Sequence, residues 1–345
     1  MAYSSIIKPS TFMNPKIYTG NSGTNAITGV GFKPDWTWIK GRSTAYSHNI
    51  YDVVRGVTKI MRSNSTGAES TQNTSLTAFG TDGFTLGSYD ESNYNNATYV
   101  SWNWKAGTSF TNDASGTGIG SIDSAGSVNT TSGFSITSFT GTQTAGTIAH
   151  GLGAVPKMII VKARTQEDGW YVYHVSNTAT KYMRMETTGT LGSGAAFWND
   201  TAPTSTVFSV GNGTGTNYNG TMIAYCFAEK QGFSKMGSYI GNANADGTFI
   251  YTGFKPAFVF VKRTSGSENW TIMDSARDPV NVAVNKLHPN TSGGTDAGAT
   301  IDILSNGFKN RTTNAGANGS GDTYIYMAFA EEPLVASNYN AATAR

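Results

Sequence analysis

The sequence predicts an all-β protein built as three repeated β-sandwich domains of jelly-roll type, arranged in tandem. Three observations predict it. Short apolar runs alternate large and small side chains with a period of two, as half-buried strands do. Polar stretches rich in Gly, Ser, Thr and Asn separate them; the chain has 41 glycines and only 13% charged residues. One strand phrase recurs three times: "ATYVSWNWKAG" at 97–107, "GTMIAYCFAEKQG" at 220–232 and "GDTYIYMAFAEEP" at 321–333.

Read in order, residues 1–15 form an N-terminal arm and 16–107 the first repeat. A Gly/Ser/Thr-rich linker follows at 108–132, then the second repeat at 133–230, the third at 236–335 and a tail at 336–345. Each repeat opens at a proline, in "PDWTWIK" from Pro34, "PKMIIVK" from Pro156 and "PAFVFVK" from Pro256. The first residue of a strand is one of the few places where a sheet tolerates proline. Six residues on stand Lys40, Lys162 and Lys262, and fourteen on stand His48, Trp170 and Trp270. The closing strands put Trp104, Phe227 and Phe329 in register, and "YTGN", "FTGT" and "YIGN" mark a turn upstream of each proline. Steady spacing over about 100 residues marks divergent copies of one unit, too long for a propeller blade. The long linker predicts a first repeat on a tether, with the second and third packed closely. Helical patterning is scarce: "YDVVRGVTKIMRS" at 51–63 is the best candidate, weakened by Gly56.

Composition excludes several functions. A net charge of +2 provides no basic field for nucleic acid, and no apolar run approaches the ~20 residues of a membrane helix. No signal peptide is visible in "MAYSSIIKPSTF". Cys226 alone forms no disulfide framework, and His48, His150, His174 and His288 lack metal-ligand spacing, so neither metal nor cofactor is expected. "NANADG" at 242–247 imitates a calcium loop but lacks its first Asp and twelfth Glu, and reads as a hairpin tip. Glu229 and Glu331 end equivalent strands in different repeats, which suits a structural role rather than a glycosidase pair. Asp52/Arg55 and Asp274/Arg277 repeat an Asp-x-x-Arg spacing, read as a local ion pair closing a loop. Trp170 and Trp270 are the candidate ligand or receptor contacts, as a sugar-stacking platform; shared core is the plainer reading of tryptophans at matching positions.

The runs "KPSTFMNPKIYTGNSGTNAITGVGFKPDWTWIKGRS", "HGLGAVPKMIIVKAR" and "IDILSNGFKNRTTNAGANGSGDTYIYMAFAEEPLV" carry a resemblance to a known family. The chain resembles a domain family of unknown function found in marine bacteriophages, including those of cyanobacteria. That resemblance implies a non-enzymatic protein on the virion exterior, folded in the host cytoplasm. A tail-fibre or receptor-binding appendage is the leading expectation, with capsid decoration (a head fibre) or a carbohydrate-binding module as alternatives. The implied partners are other virion proteins and a host surface glycan, with no nucleic acid and no membrane insertion. A weakly charged, aromatic-rich chain also predicts a homo-oligomer, and the resemblance implies a trimer as its favoured form.

Overall fold

The computed structural model describes residues 4–335, and in them the same antiparallel sheet is built three times. A lead strand (Met13–Thr19, Phe134–Thr140, Ser234–Ile240) pairs with a closing strand (Thr98–Trp104, Thr221–Phe227, Thr323–Pro333). The closing strand pairs with an opening strand (Trp36–Gly41, Met158–Ala163, Phe254–Arg263). The opening strand pairs in turn with a flank strand (Asn49–Asp52, Tyr171–His174, Thr271–Asp274). Over one face of each sheet lies a smaller outer layer: Asn25–Thr28 with Gly83–Leu86, Gly146–Ala149 with Val207–Val210, and Phe249–Tyr251 with Gly307–Asn310. The chain is all-β and layered, as expected.

The period of two sends alternate residues to opposite faces, and both faces of the inner sheet are buried. Trp36, Trp38, Met158, Ile160, Phe258 and Phe260 face inward into one cluster shared by all three repeats. Ile39 and Tyr99, or Ile159 and Val161, face the outer layer of their own repeat. The register residues Trp104, Phe227 and Phe329 meet as a triangle of rings, with centroids 6.4, 5.6 and 6.0 Å apart. Three equivalent positions in mutual contact define a pseudo-threefold axis. The repeats therefore stand around a common core, and the first is no more tethered than the others. Burying a side chain of this size contributes about 1.5–3 kcal/mol, so the shared cluster binds the repeats to one another.

Several local expectations are corrected. Residues 108–132 are a folded insert: strands Thr108–Asn112 and Ser124–Asn129 extend the second repeat's sheet beyond its lead strand, with a short helical turn between them. Strand pairing needs backbone groups rather than a particular composition, and the open edge of the lead strand supplies them. The segment 51–63 is a strand, a turn and a strand, not a helix, and Gly56 adopts φ +91°, which glycine reaches without penalty. The turn at 242–247 joins strands of different sheets, so it is not a hairpin tip. Pro34 and Pro156 lie just before their strands, whereas Pro256 sits within its strand at an irregularity in the register. The expected arm already contains the start of the lead strand and buries Ile6. The expected tail, 336–345, lies outside the described residues.

Candidate functional site

The lysines six residues after each proline are buried, and each reaches into the preceding repeat. Lys162 Nζ donates to the Thr66 carbonyl (3.2 Å), Lys262 Nζ to that of Thr188 (3.0 Å) and Lys40 Nζ to that of Ser292 (2.9 Å). The series runs first to second, second to third and third to first, so it closes a ring. Burial pushes each ammonium down to about 8. Trp170 and Trp270 serve the same joints. Their indole N–H groups donate to carbonyls of the preceding repeat, Trp170 to Arg62 (2.9 Å) and Trp270 to Arg184 (3.1 Å), and their side chains are 0% and 1% exposed. Neither ring presents a face to solvent. His48, the third residue of this row, accepts from Trp38 Nε1 (3.0 Å) instead.

A second ring runs through the ends of the flank strands. Asp52 accepts from Tyr225 OH of the second repeat (2.7 Å), His174 Nε2 bonds the Tyr326 carbonyl of the third (3.1 Å), and Asp274 accepts from Trp102 Nε1 of the first (2.8 Å). Arg55 and Arg277 neutralise the two aspartates at 2.5 and 2.6 Å, with no side-chain exposure on either partner. The Asp-x-x-Arg pairs are the local ion pairs expected, and they are buried at joints between repeats. Removing one member would leave a buried charge, at a cost of about 3–5 kcal/mol. Glu229 and Glu331 also have local duties: Glu229 Oε1 accepts from the Met236 backbone N–H (2.7 Å), and Glu331 pairs with Lys255 (3.3 Å).

Sequence reasoning missed Asn93, Asn217 and Asn318, all fully buried. Each Oδ1 accepts from the turn that follows a lead strand, at Asn21, Thr142 and Asn242, and each Nδ2 donates to two carbonyls. The signal was present as an Asn four or five residues before every closing strand. Each Asn ends a four-residue helical turn: Asp90–Asn93, Thr214–Asn217 and Ala315–Asn318.

Beside that turn each repeat holds one further position, and the three copies treat it differently. In the second repeat Tyr171 lies opposite Arg184; its ring stacks on Phe197 (4.5 Å) and presses on Gly215, where a Cβ would lie only 2.0 Å from it. In the first repeat Asn49 faces Arg62, which is bound by Glu91 (2.9 Å) and Tyr89 OH (2.6 Å). The third repeat has Thr271, His288 and Gly316 there, and the position is an open cleft of roughly 110 Å³. His288 Nδ1 lies 2.9 Å from the Trp270 carbonyl, and Nε2 lies 3.2 Å from Asp296, which Lys286 also contacts at 3.3 Å. Partial burial works to raise the Asp296 carboxyl, but His288 and Lys286 outweigh it and hold the group below the usual carboxylate range. A carbonyl only accepts, so Nδ1 carries a proton in its contact with Trp270. Thr271 Oγ1, 3.4 Å from that nitrogen, therefore meets no base, and this is not a nucleophilic triad. Among the described residues no group of three or more His, Cys, Asp or Glu side chains could hold a metal ion.

The family model described as a domain of unknown function (DUF7483) matches residues 8–333, almost the whole chain. None of the curated proteins compared with the chain matches it.

Proposed function

Because the chain belongs to the DUF7483 family, whose description assigns no activity, we propose its role from its architecture: a non-enzymatic structural protein on the exterior of a bacteriophage particle, serving as a tail-fibre or receptor-binding appendage. The observation that carries this reading is the closed ring. Three layered β repeats share one core, and Lys40, Lys162, Lys262, Asp52 and Asp274 are all spent on joints between them. Such a body suits a rigid distal module. The phage setting rests on the sequence resemblance described above.

The same pseudo-threefold form favours capsid decoration as the second reading, because a threefold body fits a local threefold site. It also changes the assembly proposal. The apolar faces that pointed to a homotrimer are covered by sister repeats of the same chain. Of eleven exposed large apolar side chains among the described residues, five (Ile240, Phe249, Tyr251, Val280 and Val282) belong to the third repeat. Attachment to another virion protein through that repeat is the assembly proposed here. Immunogold labelling of intact particles with antibody against this chain tests the function. Label at the tail supports the appendage and label over the head supports decoration; particles bare of label would sink both.

A further inference from the structure

We infer that the third-repeat cleft is a binding site for one pyranose residue of a glycan, an inference that rests on the receptor-binding form of the proposed function. Size comes first. The cleft occupies the place that the Tyr171 ring fills in the second repeat, and a pyranose is a six-membered ring of similar footprint. Gly316 stands where Gly215 makes room for that ring, yet only Asn314 Oδ1 (2.9 Å) and Glu268 Oε2 (3.7 Å) approach a Cβ placed there. The third repeat thus keeps the glycine and replaces the tyrosine with Thr271, leaving ring-sized space open between Thr271, His288 and Gly316.

The lining chemistry selects the ligand class. Sugar hydroxyls both donate and accept, so a site for them needs acceptors and donors together, held in place before the ligand arrives. Glu268 and Asp296 supply carboxylate acceptors, and Lys286 supplies a donor. Asn290 donates to Asn269 Oδ1 (2.7 Å), which fixes Asn269 with its amide nitrogen available. The Asn314 side chain is fixed too, accepting from the Gly316 backbone N–H (2.6 Å). Lys286 is set against Asp296 and Glu268, so the cleft carries no excess of positive charge. A phosphate site needs net positive charge, and a neutral polyol does not.

The test is amide-resolved NMR of the full chain titrated with methyl pyranosides of glucose, galactose and mannose, with N-acetylglucosamine, and with inorganic phosphate as a separate arm. Saturable shifts at Gly316 and Asn314 from at least one pyranoside are expected, with Kd on the order of 1 mM, as suits a single small ligand. Thr271→Tyr, which restores the plug of the second repeat, should abolish them. Glu268→Gln, outside the core, should weaken binding about tenfold if one charge-assisted hydrogen bond is lost. Shifts from phosphate alone, unaltered binding by both variants, or no pyranoside response up to about 100 mM (a hundredfold above that Kd) would overturn the assignment. Adsorption of fluorescent chain to host cells separates the two claims: adsorption undiminished in both variants leaves the receptor reading standing and removes the cleft from it.

Discussion

His48, His150 and His174 each use Nδ1 as an acceptor, from Trp38 Nε1 (3.0 Å), the Leu152 N–H (3.2 Å) and the Ser176 N–H (3.2 Å). A protonated imidazole has no lone pair to accept with, and burial further opposes charge. Burial pushes His150 and His174 down to about 4 and His48 well below its ordinary value. In the unfolded chain these groups titrate near 6.5. Between roughly pH 6.5 and 4 the unfolded state therefore binds more protons, and stability falls as pH falls. Each histidine contributes a slope approaching 1.4 kcal/mol per pH unit within that window. Urea midpoints from pH 7.5 to 4.5 check this. They should drop steeply below 6, with a shallower drop in His174→Gln; a profile that stays level below 6 would show that the imidazoles are not held neutral. Histidine spacing in the sequence offered no motif for a metal site. It did not show the acceptor role, because that depends on which N–H the fold brings to Nδ1.

At the scale of elements, the opening and closing strands were legible, since period-two alternation needs only neighbouring residues to be read. The insert at 108–132 was not. Its Gly/Ser/Thr composition is that of a linker, and its strands exist because the second repeat's lead strand leaves an edge to pair with. The joint between the second and third repeats manages the same passage with Glu229–Gly232, and Ser132 Oγ lies 3.5 Å from the Lys105 carbonyl, so the two ends of the insert are adjacent. Replacing Gly107–Ser132 by Glu-Lys-Gln-Gly should preserve the fold. The expected cost is about 2–5 kcal/mol, from burial lost with Ile122 and Val128. Near-UV circular dichroism reads the tryptophan core directly. A collapsed near-UV signal would show that the insert is needed for folding.

For the whole molecule, ring closure makes the start of the chain arbitrary. The Ser4 N–H bonds the Val335 carbonyl at 3.3 Å, which brings the two ends of the described chain together. A circular permutant with a short Gly/Ser bridge between these ends, opened at Thr117–Gly118 in the insert, should fold with the parent's near-UV spectrum. Multi-angle light scattering should find both forms as single chains, because each repeat already covers the inner faces of the other two. A parent that runs as a trimer would restore the homotrimer to the assembly proposal.

The sequence by itself determined the all-β class, the three copies, the positions of their opening and closing strands and the residues that share a register, because period and spacing are properties of the chain alone. Lys40, Lys162 and Lys262 were visible as a repeated position, and so were Trp170 and Trp270. Only the tertiary structure decided what those positions do. Three equal copies can stand apart or close around an axis, and no local pattern distinguishes the two, since the carbonyls that receive each lysine and each indole lie in the neighbouring repeat, 74 to 252 residues away along the chain. The cleft is undetermined in the same way. Thr271 in place of Tyr171 is a plain substitution on paper, and it becomes an opening only because the fold sets Gly316 across from it.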